Sequence, residues 1–436
     1  MKVFLDSVGC RLNQSEIEAY ARQFRLAGHE LVASPQGADL AVVNTCAVTA
    51  EAASDSRQKI RQAARLGAAQ VTVTGCWSTL DPQAARALPA VSHVVPNAEK
   101  DYLVTDLLHM PLEAFDLEPL ARQPVPGARL RTRAFVKVQD GCDNRCTFCV
   151  TTLARGRGRS RPIPAVIADV QAALHGGCQE VVITGVHLGS WGSDLSPEMR
   201  LRQLVQAILD ETDVPRLRLS SLEPWDVGNE FFSLWENPRL CRHLHLPLQS
   251  GSAATLGRMA RKTTPDSFEA LLAAARAAIP EIAITTDVMV GFPGESEAEF
   301  GESLDFVRRM RFSGGHVFIY SARPGTAAAS MPAQVPHPLR KGRSSRLRGV
   351  LAEAAADYQA RFLGRVLPVL WESATALGPQ GWRMSGLTDN YLRVTAHAGQ
   401  HLWNHITPVR LTVLVAGGLQ GQVQDVNISE VTQLGK

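Results

Sequence analysis

No apolar run in this 436-residue chain approaches the roughly 20 residues that would span a bilayer. The start also lacks a secretory pattern, since Lys2 precedes only the brief apolar run Val3, Phe4 and Leu5. Compositional extremes are missing too: 45% hydrophobic and 20% charged residues are the proportions of an ordinary soluble globular protein. These absences predict a cytoplasmic chain with no membrane partner. In that compartment thiols stay reduced, so the eight cysteines point to metal or catalytic use rather than disulfides. The length predicts two or three domains.

The net charge of +3 says little, but its distribution is uneven. Between 121 and 161 stand Arg122, Arg129, Arg131, Arg133, Lys137, Arg145, Arg155, Arg157, Arg159 and Arg161, opposed only by Asp140 and Asp143. This island brackets a cysteine motif, which implies an anionic partner near the chemistry. A second run, Arg340, Lys341, Arg343, Arg346 and Arg348, reads equally as a solvated face.

Residues 1–120 alternate strand and helix patterns, with strands expected over 3–8, 39–44, 71–74 and 92–95 and helices over 14–27 and 50–66. That rhythm predicts an open parallel sheet with flanking helices. Cys10, Cys46 and Cys76 each fall just after an expected strand. In an open parallel sheet those strand ends share one edge, so the three thiols have the placement of a metal site or of three buried structural cysteines.

A proline-containing linker over 111–127 leads to a second βα series over 128–362, with six expected strands at 134–139, 180–184, 216–220, 243–248, 283–290 and 316–320. Six strand–helix units suit a partial (β/α)6 barrel with its chemistry at the C-terminal mouth. A helix over 339–362 leads out, and short alternating runs over 363–436 predict a small β-barrel.

Cys142, Cys146 and Cys149 follow the first barrel strand with C-x3-C-x2-C spacing. Three thiolates on one loop suit a 4Fe-4S cluster and leave one iron open. That iron can take S-adenosylmethionine, whose one-electron cleavage gives a carbon radical. A structural zinc site would want a fourth ligand nearby, and none is evident.

The chain resembles the radical S-adenosylmethionine methylthiotransferases, on Gly9-Cys10-Arg11-Leu12-Asn13-Gln14, Asn44-Thr45-Cys46, Thr74-Gly75-Cys76, the loop from Gly141 to Cys149, Ala154-Arg155-Gly156-Arg157, and Asp287 to Glu295. The resemblance implies three domains: an N-terminal methylthiotransferase domain, a radical barrel and a TRAM-like RNA-binding barrel. It implies a second, auxiliary 4Fe-4S cluster on Cys10, Cys46 and Cys76, and two uses of S-adenosylmethionine, one for methylating sulfur and one for activating the substrate carbon. Partners would be tRNA, a reducing electron donor and a sulfur source. Thr184 to Ser190, with Asp194, is similar to the branch acting on threonylcarbamoyladenosine in tRNA; other branches act on isopentenyladenosine or on a ribosomal-protein aspartate. The ribosomal-protein branch usually carries proline where this chain has Arg11. One departure from the family is Val150-Thr151-Thr152-Leu153, where many members have Ile-Pro-Tyr. A metal-stabilised RNA-binding protein without catalysis is the reading from another class.

Strand-end placement and the resemblance together make Gly185, Ser221, Glu223 and Gln249 candidates for binding S-adenosylmethionine. Arg155, Arg157, Arg159 and Arg161 read as a phosphate-neutralising segment. Trp382, Tyr391 and Trp403 are either base-stacking rings or core. Cys178 and Cys241 read as structural, and His243 and His245 as packed.

Overall fold

The computed structural model describes residues 1–111, Phe115 and residues 132–424. The expected linker from 112 onward, the boundaries at 120 and 128, and Arg122, Arg129 and Arg131 lie outside the described residues.

The first part runs β1 (Lys2–Ser7), α1 (Arg11–Leu26), β2 (Glu30–Val32), β3 (Leu40–Thr45), α2 (Ala50–Arg65), β4 (Gln70–Gly75), α3 (Cys76–Leu80), α4 (Pro82–Arg86), β5 (Val91–Val95) and α5 (Leu103–Leu108). All five strands are parallel, in the order β2-β1-β3-β4-β5. Every residue of the central strand β3 is buried, which is why its sequence is a near-continuous apolar run rather than an alternation. β2, three residues at the sheet edge, was not anticipated; at that length a strand leaves no period to read.

The second part runs β6 (Arg133–Lys137), β7 (Gln139–Asp140), α6 (Thr151–Arg155), β8 (Arg159–Ser160), α7 (Ile163–His175), β9 (Glu180–Thr184), α8 (Leu201–Glu211), β10 (Arg216–Leu219), β11 (His243–His245), α9 (Ala253–Arg258), α10 (Pro265–Ala278), β12 (Ala283–Val290), α11 (Glu297–Met310), β13 (Gly314–Ile319) and α12 (His337–Ala360). Two three-stranded parallel sheets, β6-β9-β10 and β11-β12-β13, are joined by the parallel bridges Leu217–Leu240 and Ser221–His245. The result is the expected open barrel of six strands. Its apolar core lies between strands and outer helices, as with Val181, Ile183, Leu217, Leu219, Leu204 and Ile208.

The tail forms a closed barrel, β14 (Val366–Ala376), β15 (Trp382–Thr388), β16 (Arg393–Ala398), β17 (Ile406–Val415) and β18 (Gly418–Val423), in the order β14-β15-β16-β18-β17. It docks at the N-terminal ends of the large barrel's strands. Arg216 donates to the carbonyls of Leu387 and Pro368, and Arg218 to those of Thr388 and Asp389. Arg218 also makes a two-pronged pair with Glu180, at 2.6 and 3.0 Å, with both side chains fully buried. Arg133 reaches Glu372 at 2.7 Å. Tyr391 stacks on His243 with ring centroids 4.2 Å apart. The floor of the large barrel is therefore closed by the tail, while its C-terminal mouth faces the other way.

Among the described residues, no helix is long and apolar enough to cross a membrane.

Candidate active site and metal centres

β1, β3 and β4 are consecutive neighbours in the first sheet, so the residues after them stand in a row along its C-terminal edge. Cys10 is the residue before α1, Cys46 follows β3 directly, and Cys76 opens α3. The three widely spaced thiols are thus brought together as the topology predicts. Gly9 has φ +92°, and a Cβ there would stand 2.5 Å from Cys46 Sγ, so only glycine lets the first loop close over the second thiol. Asn13 ties the same two loops, donating to the carbonyls of Val8 and Thr45. From α2, Ser56 holds the backbone of Cys46 by accepting from its N–H and donating to its carbonyl. Burial pushes the Cys46 thiol up to about 11 and raises Cys10 as well. A cluster bound here would hold all three as thiolates, so loading it releases their protons.

The second triad sits on the loop between β7 and α6. Gly141, at φ +73°, passes so close to the backbone of Arg157 that a Cβ would overlap its carbonyl oxygen, and Cys142 N–H donates to Gly156 O across the same turn. Each sulfur receives an N–H donor: Cys142 from Asn144 N at 3.4 Å, Cys149 from Thr151 N at 3.4 Å, and Cys146 from Arg261 Nη1 at 3.7 Å. Donors aimed at sulfur suit thiolates bound to iron. Among the described residues, no three His, Cys, Asp or Glu side chains converge as ligands of a single ion. A cubane takes one thiolate per iron, and so asks for thiols side by side.

The mouth of the barrel holds the other candidates. Glu223 is occupied by Arg261 through two prongs, at 3.1 and 2.5 Å, and the same guanidinium covers the Trp225 ring at 4.5 Å. Ser221 is exposed just past β10, while Ser220 beside it buries a hydroxyl with no partner. Gln249 takes a left-handed φ of 70° between β11 and β12, fixed by Gln249 N–H to Asp287 O and by Met289 N–H to its own carbonyl. Gly185 is glycine for a packing reason: a Cβ there would meet Gln139 at 2.9 Å. These positions follow the C-terminal ends of β9, β10 and β11, and Arg261 links Glu223 to Cys146 on the cysteine loop. His187 lies behind Cys142 and pairs with Asp226 at 2.6 Å. Burial alone would lower His187, but hydrogen bonds to Asp226 and Cys142 outweigh it and lift the group to about 10.

Several sequence readings need correction. Arg155 is not a phosphate arginine; it is buried between the two cysteine sets. It donates from Nε to Cys76 Sγ at 3.3 Å, from Nη1 to Glu16 at 3.1 Å and to Asp140 at 2.9 Å, and from Nη2 to Asn13 at 2.8 Å. Lys100, also buried, bridges the same two carboxylates at 2.5 and 2.8 Å. Burial opposes the charge on Glu16, yet Arg155, Lys100 and Lys137 hold the group at about 2. Arg161 is half-buried and paired with Asp169 at 2.5 Å. Only Arg157 and Arg159 of that segment, with Arg145 on the loop, face solvent. Tyr391 is committed to His243 and accepts from Arg11 at 3.2 Å, so it is interface rather than base platform. In the second basic run, Arg343 is buried against Glu295 at 2.7 Å and so is not a solvated face. Cys178 and Cys241 are buried, Cys178 against the carbonyls of Thr132 and Glu180, which fits the structural reading of both.

Sequence reasoning missed Arg261, Asn97 and the His187–Asp226 pair as parts of the site. Arg261 stands 115 positions from the sulfur it reaches, and no local pattern marks such a residue.

The N-terminal residues 2–96 match the model described as Uncharacterized protein family UPF0004, and residues 136–307 match the Radical SAM superfamily. The chain is similar to the threonylcarbamoyladenosine tRNA methylthiotransferase MtaB of Bacillus subtilis, 35% identical over 98% of this chain and 97% of that one. The protein of the same name from Thermotoga maritima is 36% identical over 90% of each chain. A tRNA-2-methylthio-N(6)-dimethylallyladenosine synthase from Syntrophotalea carbinolica is 30% identical over 94% of this chain and 97% of that one. Among solved structures, the radical S-adenosylmethionine methyltransferase TsrM from Kitasatospora setae shares the fold, with TM-score 0.59 at 16% identity over 75% of each chain.

Proposed function

Because the chain belongs to the radical S-adenosylmethionine methylthiotransferase family, we propose that it installs a methylthio group on the adenine ring of N6-threonylcarbamoyladenosine beside the anticodon of tRNA, at C2. The observation that carries this reading is the full-length likeness to the Bacillus subtilis threonylcarbamoyladenosine enzyme, 35% identity over 98% of this chain.

In this reading Cys142, Cys146 and Cys149 hold the cluster that binds S-adenosylmethionine, and Cys10, Cys46 and Cys76 hold an auxiliary 4Fe-4S cluster with an open iron for sulfur. When bound and reduced by an external donor, a cluster on Cys142, Cys146 and Cys149 would supply the electron that cleaves S-adenosylmethionine, and so the means of removing hydrogen from an unactivated carbon. The protein's own work is placement. Gly185, Ser221, Glu223 and Gln249, at the C-terminal ends of the barrel strands, would contact the cofactor, and Arg261 fixes Glu223 relative to Cys146. Arg145, Arg157 and Arg159 give the mouth a cationic rim for tRNA phosphates, which adds affinity without reading sequence. α6 links the two triads, starting after Cys149 and ending on Arg155, which reaches Cys76, and this supports one substrate base being served by both. A sulfur source replenishes the auxiliary site between turnovers. The three units are taken as 1–120, 128–362 and 363–436.

Nucleoside mass spectrometry of tRNA from a strain lacking this protein tests the reading. Loss of the methylthio group from threonylcarbamoyladenosine alone is the expected result; loss from isopentenyladenosine, or no loss, overturns the substrate. The two-cluster assignment predicts roughly eight irons per chain after anaerobic reconstitution. Replacing Cys10, Cys46 and Cys76 together by Ala should spare 5′-deoxyadenosine production and abolish sulfur insertion. Loss of both activities would refute separate roles for the triads.

A further inference from the structure

We infer that Arg155, with Asn97, positions the sulfur of Cys76 against the radical loop and sets the redox potential of the cluster held there, an inference that rests on the two-cluster reading above. α6 begins two residues after Cys149 and ends on Arg155, so one short helix runs from the last thiol of one triad to a thiol of the other. The guanidinium at its end is held on every side. Asn13 and Glu16 grip it from α1, Asp140 from β7, and its Nε–H is left pointing at Cys76 Sγ, 3.3 Å away.

Asn97 makes the same bridge from the other side. Its amide donates to Ala154 O in α6 at 2.8 Å and lies 3.7 Å from Cys76 Sγ. Two N–H donors from separate elements therefore converge on one sulfur, and both are anchored to α6.

Charge explains why Arg155 is so placed. Glu16, Asp140 and Asp101 are matched by Lys100, Arg155 and Lys137, so the six ions of this network balance without the thiol. The Nε–H on Cys76 is thus not needed to neutralise the carboxylates; it is a donor directed at sulfur. Hydrogen bonds to cluster sulfurs favour the more reduced, more negative state, and so raise the reduction potential. Removing either donor should lower it.

The test is a redox titration of the reconstituted full chain followed by electron paramagnetic resonance. The signal unchanged by added S-adenosylmethionine belongs to the auxiliary cluster. Arg155→Lys keeps a cation beside Glu16 and Asp140 but cannot also span to Cys76, and Asn97→Leu removes the amide donor at nearly constant size. Both variants should retain roughly eight irons per chain and show a more negative auxiliary potential, with the cofactor-sensitive signal unmoved. Arg61→Lys, at an exposed position on α2, should shift neither. A fully loaded Asn97→Leu protein with an unchanged auxiliary potential overturns the inference, and it decides the matter even if Arg155→Lys fails to fold or load. Wild-type protein that takes up only about four irons would instead bring down the two-cluster reading, and this inference with it.

Discussion

Replacing Arg218 by Met should loosen the C-terminal barrel from the floor of the large one, and its cost can be worked from the contacts. Arg218 and Glu180 are both fully buried and joined by two hydrogen bonds. The substitution leaves Glu180 in the barrel interior with no two-pronged partner, only Arg133 Nη1 at 4.0 Å and the more distant Arg216. It also strips donors from the carbonyls of Thr388 and Asp389. Removing one partner of a buried pair typically costs 3–5 kcal/mol, so about 4 kcal/mol is expected here. With a urea dependence of about 2 kcal/mol/M, that moves the midpoint of the affected transition down by about 2 M. The pH dependence carries its own sign. In the wild type Glu180 is held below its usual value: burial opposes this, but Arg218 outweighs burial, so the pair's stabilisation is present above the ordinary carboxylate pKa and lost on acidification through the lowered value. Without Arg218 burial dominates, Glu180 is raised, and the variant gains relative to wild type as pH falls from 7 toward 5. Urea unfolding followed by tryptophan fluorescence, transition by transition, measures both effects. A midpoint shift below about 0.5 M, or a Glu180→Gln/Arg218→Met double variant no more stable than Arg218→Met alone, would refute the reasoning.

Three further outcomes follow from the same contacts. Glu16, held at about 2 against an unfolded value of 4.5, stabilises the fold above pH 4.5 and ceases to do so as pH falls toward 2; urea midpoints should be level from pH 7 to 5 and then drop, and a level profile down to pH 3 would contradict the assignment. Replacing exposed Arg157 and Arg159 together by Ala should weaken tRNA binding similarly for all tRNAs and flatten the salt dependence of log K by about two units of slope, read by filter binding at several salt concentrations. Arg161→Ala should act differently, costing about 1–3 kcal/mol of stability through its half-buried link to Asp169 with little change in that slope.

The barrel order and the two thiol triads were legible because they follow from periodic signals. Strands such as Glu180–Thr184 and Ala283–Val290 and helix Glu297–Met310 have the limits the pattern predicts, and strand-end cysteines share an edge in any open parallel sheet. The strand Trp382–Thr388 was not anticipated. Its polar and apolar residues do not alternate cleanly, and Gly386 sits within it because a Cβ would meet Leu370 O at 2.2 Å. The arginines were the least legible. Arg155 and Arg157 are two positions apart with similar neighbours, yet one is enclosed and the other faces water. Their difference comes from Glu16 and Asn13, more than 130 positions away, and composition cannot convey it.

The closed floor of the large barrel also makes the two barrels one thermodynamic unit. Residues 387–391 cover Arg216, Arg218 and His243 from below, and Arg218 is the buried partner of Glu180. Removing the C-terminal barrel would therefore do more than delete a domain, because it would bare the Glu180–Arg218 pair and change what holds the large barrel together.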